Sequence, residues 1–404
     1  MVLIIEVHGV VRSSSNVALR LVEAQPFQRR EEEFWSRDEA GEFHSLHRLL
    51  SWPQSTRAEL ASYLVTKFSR KGEKILDPFA GGGSFALEAA LQDRVVIASD
   101  INPLSIKTIS AKLMPADLAE VTIRLQKVAL KGPVDLGFYR DYFAPFFHID
   151  TFCELLRLRA AIDLKYDRVG KFLEAITLGL LHGNSAGYLS AYTSNQIAPS
   201  PEEQHRLNQE RGSGPEYRAV SPRIIRKTAL CTRDGGLSTL EKNETAHSLT
   251  VRDARDLGHI ASDSIGITLT SPPVPGENSS VNEHWLRLWF TGVERRDIEP
   301  RLAPTTEMSS WCGFMNESLL ELARVTRHGG RAVLHLREAG DRFSAAETED
   351  ELLKVVDSSL GRYWNAECSI LHAPTPAKVD ASVMRDRHAE KDGKTYRVLV
   401  LRRR

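Results

Sequence analysis

Residues 75–91 constrain the fold of this chain more than any other stretch. An apolar run, Ile75-Leu76, ends in Asp77; the cluster Gly81-Gly82-Gly83 follows, and a helix-forming segment begins at Phe85. That order reads as strand, tight turn, helix. Glycines let a backbone adopt positive φ and approach a ligand closely, and a helix start presents N–H groups without intrahelical partners. A second apolar strand, residues 94–98, runs into Ser99-Asp100-Ile101-Asn102-Pro103, where an acid is placed to accept hydrogen bonds from a ribose. Far downstream, residues 265–270 form another apolar run that ends in Ser271-Pro272-Pro273.

Composition bounds the class. With 404 residues, 42% of them hydrophobic, the chain can build one large domain with an insertion, or two domains. Lys+Arg and Asp+Glu are equal at 53 each, so any nucleic-acid surface has to be a local patch set against acidic regions elsewhere. Cys153, Cys231, Cys312 and Cys368 are scattered and form no C-x-x-C pair, which points to free thiols rather than disulfides or zinc, and no metal site is expected. Residues 1–7 read as a strand, too short for the apolar region of a signal peptide. No apolar run reaches membrane-spanning length, so the expectation is a cytoplasmic protein with no membrane partner. The sequence leaves the oligomeric state open.

Four regions follow. Residues 1–42 form an N-terminal extension with a strand, a Ser13-Ser14-Ser15 turn, a helix from Asn16 and a charged run, residues 29–33, that reads as a solvated face. Residues 43–109 hold a helical lead-in, with Thr56-Arg57-Ala58-Glu59 as a capped start, then the two strands above. Residues 110–245 interrupt the sheet between its second and third strands: helices over 118–130, 149–164 and 169–181, then a polar, loop-rich segment from His182 to about Asn243. Residues 246–404 resume the sheet at Ser248-Leu249-Thr250-Val251. An insertion at the carboxyl edge of a doubly wound sheet overhangs the ligand crevice. This one carries Tyr192, Asn195 and Gln196 beside Arg218, Arg223, Arg226 and Lys227. Rings stack on bases, amides read base edges and arginines hold phosphates, as in a DNA interface. The same residues also suit a polar loop packed on the core, with the amides capping turns.

Asp77-Pro78-Phe79-Ala80-Gly81-Gly82-Gly83-Ser84 resembles the D-P-F-x-G-x-G-[ST] cofactor loop of DNA methyltransferases that act on exocyclic amines. Asp100-Ile101-Asn102-Pro103-Leu104 resembles the segment that follows it there, and residues 251–257 resemble the third cofactor element. Leu322 to Gly330, then 331–336, resemble a helix end, a Gly-Gly turn and the fifth strand; residues 396–401 resemble the final, edge-adjacent strand. With Ser271-Pro272-Pro273, the closest likeness is to the cytosine-N4-specific enzymes, since adenine-N6 enzymes favour Asp in place of Ser. The resemblance covers most of the chain from about His44 onward. It implies an α/β fold, a Rossmann-like class I methyltransferase with a mostly parallel seven-stranded sheet and an inserted helical, loop-rich region.

The same resemblance implies S-adenosylmethionine as cofactor and DNA as partner. Asp77 would face the methionine amino group, the Phe79-Ala80-Gly81 backbone and Gly83 the methionyl-ribose part, and Asp100 the ribose hydroxyls. Asp253 would take the adenine amine, with Ile101 and Ala254 on the ring faces. The lead-in closes over the methionine end, where His44, His47 and Trp52 either line the site or belong to the lead-in's own surface and core.

An exocyclic amine is a poor nucleophile because its lone pair is delocalised into the ring. Ser271 Oγ and the Pro272 carbonyl would hold its two hydrogens, Pro273 keeping that loop extended and rigid. The family's aromatic residue after Pro-Pro, which stacks on the flipped base, is Val274 here. Stacking is worth roughly 1–3 kcal/mol per base. Its role either passes to Trp285 or Trp289, four apart on one helix face and otherwise core residues, or is lost. Cytosine N4 in DNA is therefore one reading. Adenine N6 in DNA, or an exocyclic amine in RNA, is a second, and a non-catalytic binding protein on the same scaffold is a third.

Overall fold

The computed structural model describes residues 27–32, 43–52, 55–193, 197–276, 284–337, 342–372 and 396–404. An eight-stranded sheet forms its centre: β1 (Gln28–Glu31), β2 (Lys74–Asp77), β3 (Val95–Asp100), β4 (Ser248–Val251), β5 (Ile265–Thr270), β6 (Thr326–Leu336), β7 (Trp364–His372) and β8 (Tyr396–Arg403), in the order β1-β7-β8-β6-β5-β2-β3-β4. Only β8 runs antiparallel to its neighbours, β6 and β7; every other pair is parallel. The expected mostly parallel Rossmann-like sheet is present, with one strand more than the seven expected. The extra strand is β1, from the charged N-terminal run, which pairs with β7 and ties its Arg29 to Glu349 (2.8 Å) and Asp350 (2.5 Å). β8 consequently lies third from that edge. The strand and helix expected over residues 1–26 fall outside the described residues.

Successive strand residues point to opposite faces, and the core divides accordingly. Ile75, Val333, Val398 and Val400 enter the larger cluster, while Leu76, Leu334, Leu399 and Leu401 enter a second cluster around Trp311 and Trp364. Burial of both faces is what a parallel sheet requires.

The described residues contain twelve α-helices, some packed on the sheet and the others on those helices. The lead-in helix is α1 (Ala58–Phe68), which buries Leu60, Ala61, Leu64 and Val65 at helical spacing. Its cap differs from expectation: Arg57 is the N-cap and makes no side-chain cap bond, because the Thr56 hydroxyl bonds His335 Nδ1 instead (3.0 Å). The helices α2 (Ser84–Leu91) and α3 (Pro103–Leu113) follow β2 and β3. Asn102 caps α3 by accepting the Leu104 N–H, and Pro103 occupies its first position, where a missing N–H costs nothing.

Between β3 and β4 lie α4 (Leu118–Gln126), α5 (Ile149–Leu164), α6 (Arg168–Leu178), α7 (Pro201–Glu210), α8 (Val220–Cys231) and α9 (Leu237–Lys242). The stretch 182–243, expected to be loop-rich, thus contains three helices. After β5 come α10 (Trp285–Thr291), α11 (Met308–Val325) and, after β6, α12 (Ala345–Val355). The turn expected at Gly329-Gly330 is instead an irregularity within β6. Here the register against β5 jumps from Thr326–Ile265 to Arg331–Ile267, and Gly329 takes φ 76°.

The chain leaves β2 toward β3 and β4 on one side and returns to β5 on the other. That reversal opens a crevice at the carboxyl ends of the strands, the place where open α/β sheets bind ligands.

Candidate active site

One cleft of about 1150 Å³, open mouth included, lies at that reversal. Each strand end delivers one side chain to it: Asp77 from β2, Asp100 from β3, Ser271 beyond β5 and Arg337 beyond β6, with Asp253 from the turn after β4. The glycine loop forms the floor. Gly83 holds φ 76° at the start of α2, and a Cβ there would lie 2.5 Å from Ile109 Cγ1. A Cβ on Gly82 would lie 2.6 Å from Ser55 Oγ and 2.7 Å from Trp52 Cβ. The loop is therefore clasped from both sides, which only glycine permits.

Asp77 is buried and Asp100 and Asp253 are half-buried, and the three differ in their partners. Asp77, 3% exposed, accepts from the Thr270 hydroxyl (2.6 Å) and the Phe79 N–H (3.3 Å). Burial still pushes it up to about 7, outweighing those bonds, with nearby Asp100 pushing the same way. Asp100 takes the Gly81 N–H on Oδ2 and the Asn102 N–H on Oδ1, both at 2.8 Å, and burial raises it as well. The Ser105 hydroxyl acts on the same carboxylate, and of its four lone-pair sites one is left for a ligand hydroxyl. Asp253 is already engaged by Arg255, through the backbone N–H (2.9 Å), Nε (3.0 Å) and Nη2 (2.8 Å). Although burial opposes it, that engagement holds the acid below its usual range.

The Ser-Pro-Pro-Val loop departs from expectation in three ways. First, the Ser271 hydroxyl donates to the His335 carbonyl (3.0 Å) and accepts from Arg337 Nε (3.2 Å). Second, Pro272 is buried and does not line the cleft; the neighbouring Pro273 does, and its carbonyl accepts the Trp311 indole N–H (2.7 Å). The acceptor pair expected from Ser271 and Pro272 therefore reduces, at the cleft wall, to Ser271. Third, Val274 lines the cleft at 2% exposure, and neither tryptophan replaces its missing ring. Trp289 packs on Phe143 (4.3 Å) and stacks on Phe152 (5.5 Å), while Trp285 meets Phe146 (5.4 Å) and donates to Pro199 O (2.9 Å). They are core residues that join α10 to the inserted helices. The rings that do face the cleft are Trp52, Phe79, Phe85 and Phe314.

Ala80, Gly81, Ile101 and Ala254 all line the cleft where expected. His44 and His47 do not: His44 bonds Gly235 O (2.9 Å) and His47 bonds Glu88 (2.8 Å). Among the described residues of 110–245 none lines it either, which differs from the overhang expected of the insertion. The basic residues read as phosphate contacts disperse. Arg218 is 4% exposed and donates to the carbonyls of Tyr188 (3.1 Å) and Ser190, because the chain folds around its guanidinium. Arg223 bonds Ala219 O (3.1 Å) and Ala186 O (3.2 Å), Lys227 is half-buried and Arg226 is exposed. Tyr192 is 42% exposed, with the Arg218 guanidinium 5.3 Å from its ring centre. Asn195 and Gln196 lie outside the described residues. Arg337 escaped the sequence reading, although its position directly beyond a recognised strand placed it at the crevice.

Among the described residues no group of three His, Cys, Asp or Glu could hold a metal ion, and no helix is long and apolar enough to cross a membrane. All four cysteines are free thiols, Cys231 and Cys368 buried and the other two half-buried.

Residues 58–143, which contain the glycine loop and Asp100, match the family described as D12 class N6 adenine-specific DNA methyltransferase. No curated protein matches the chain. Among solved structures, the rRNA methyltransferase aviRa from Streptomyces viridochromogenes is 12% identical, with a TM-score of 0.32, over 89% of this chain and 91% of that one. An rRNA methylase from Streptococcus thermophilus is 7% identical, with a TM-score of 0.31, over 87% and 98%. The family match falls on the half of the cleft built by β2 and β3, and it supports a methyltransferase that uses S-adenosylmethionine. The residues present fit that cofactor. The buried Asp77 and half-buried Asp100 carboxylates suit its ammonium and ribose diol, the clasped glycine loop admits close approach, and aromatic walls suit its adenine.

Proposed function

We propose that this chain transfers the methyl group of S-adenosylmethionine to the exocyclic N4 amine of cytosine in DNA. The observation that supports it is the convergence of Ser271 with Asp77 and Asp100 on one cleft. Bound there, the cofactor supplies an electrophilic methyl group on a sulfonium. Asp77 faces the methionine ammonium, Asp100 holds the ribose and Asp253, steadied by Arg255, meets the adenine. The Ser271 proton is committed to the His335 carbonyl, so the hydroxyl presents a lone pair rather than a donor to the cleft. That lone pair accepts one amine hydrogen and turns the nitrogen lone pair toward the methyl group, a contribution of orientation rather than of covalent chemistry. The proton lost after transfer goes to water. A base inside a duplex has to be flipped out to reach this cleft.

Adenine N6 is a second reading, favoured by the D12 family match over residues 58–143. Digestion of the methylated DNA to nucleosides, followed by mass spectrometry, decides between them. N4-methyl-2′-deoxycytidine is the expected product; N6-methyl-2′-deoxyadenosine replaces the first reading with the second.

A further inference from the structure

Behind Trp52 lies a group of basic side chains that the cleft does not use. The Trp52 ring packs on His284, centroids 4.6 Å apart, and His284 Nδ1 is 2.9 Å from Arg287 Nη1. His284 is 0% exposed, Arg287 2% and His182, just past α6, 2%. Lys227 of α8 is half-buried, with Arg287 and the exposed Arg48 as electrostatic neighbours. Among the described residues no carboxylate acts on Arg287 or Lys227; the groups of acidic character that do are the Tyr188 phenol, on Arg287, and the Cys231 thiol, on Lys227. Both ring nitrogens of His182, Nε2 of His284 and Nε of Arg287 have no hydrogen-bond partner there.

Burial of an uncompensated cation opposes folding, so such a set is costly unless an anion joins it. Burial drives His182 well below the imidazole range and His284 to about 3, which leaves both rings neutral, each with one N–H donor. Arg287, lowered by burial to about 10, stays charged at neutral pH. A guanidinium fork, an ammonium and imidazole N–H groups together present donors without acceptors of charge. That pattern matches phosphate oxygens.

We propose that His182, Lys227, His284 and Arg287 form a phosphate site that takes a phosphodiester of the substrate strand beside the cleft. Trp52 carries the argument from anion to strand, since its ring lines the cleft and also covers His284. Exposed Arg48, an electrostatic neighbour of Lys227, extends the positive charge outward. The strand assignment rests on the nucleic-acid reading above; the phosphate site does not.

The test measures thermal unfolding in phosphate against chloride at matched ionic strength, and anisotropy of a labelled single-stranded oligonucleotide, for wild type, Arg287→Met and Lys227→Met. Phosphate raises the wild-type melting temperature and leaves that of Arg287→Met unmoved. In chloride the Arg287→Met variant melts above wild type, because a buried unpaired charge is gone; a residue held for structure would melt below. Oligonucleotide affinity falls roughly tenfold or more in both variants, as expected for loss of a charge-assisted contact, while cofactor affinity holds. Lys227→Met, at the rim, serves if Arg287→Met does not fold. Equal wild-type melting in both salts overturns the site. A phosphate shift with unchanged oligonucleotide affinity overturns the strand assignment and leaves a site for a small anion. Wild-type phosphate binding without methyl transfer to any nucleic acid sinks the proposed function and spares the site.

Discussion

Asp77→Asn separates the stability of the cleft from its use. The substitution keeps the shape and removes a carboxylate that burial has lifted from 3.8 to about 7. At about 1.36 kcal/mol for each pH unit, that rise is worth roughly 4 kcal/mol. The native state holds its proton more tightly than the unfolded state, so wild type loses stability as pH climbs from about 4 to about 7. Above that the full penalty applies, and below it none does. Asparagine does not titrate. The stability gap in favour of Asp77→Asn should widen by roughly 2–3 kcal/mol between pH 5 and pH 8, since part of the loss precedes pH 5. For a chain of this length, with an unfolding entropy of about 0.85 kcal/mol per kelvin, that is roughly 3 °C in relative melting temperature. Differential scanning calorimetry at the two pH values reads it directly. Addition of S-adenosylhomocysteine, which keeps the amino group, should reverse the order at pH 8, because the ammonium then compensates the wild-type carboxylate. A melting difference that does not change with pH would refute the assignment of a desolvated, titrating Asp77.

Four further outcomes follow from the same geometry. Asp100→Ala should weaken calorimetric affinity for S-adenosylmethionine by roughly 1.5–3 kcal/mol, the worth of hydrogen bonds to a charged group. Ser271→Ala should lower turnover while cofactor affinity stays level; full methyl transfer by this variant would reduce Ser271 to a loop residue tied to His335. Gly83→Ala should cost about 1–2 kcal/mol for the left-handed backbone alone, plus the collision with Ile109, visible as a lower melting temperature. Trp289→Ala should destabilise by about 3–5 kcal/mol with unchanged cofactor affinity, as a core residue does; selective loss of DNA binding at full stability would restore it as a base-stacking ring.

What could be read in the sequence was local. The glycine loop, the acids ending β2 and β3, and the alternation that splits Ile75 from Leu76 depend on neighbours a few positions away. Some missed elements had a signal: Val220, Ile224, Thr228 and Cys231 mark the buried stripe of α8 at helical spacing inside a polar segment. Others had none. Arg218 looks like any surface arginine until α5 and the 188–190 turn enclose it, and the direction of the Ser271 proton depends on a β6 carbonyl. Likewise β1 reads as a solvated run because all four of its residues are exposed; its place is fixed by pairing to β7, 340 residues away in sequence at Gln28 and Cys368.

The central claim is methyl transfer from a cofactor held by Asp77 and Asp100 to a base amine at Ser271. Tritium transfer from methyl-labelled S-adenosylmethionine to unmethylated DNA tests it most directly, with cofactor binding measured on the same preparations. Wild type should bind and transfer, Asp100→Ala should do both weakly, and Ser271→Ala should bind but transfer little. Wild-type protein that binds the cofactor yet labels no DNA would contradict the account.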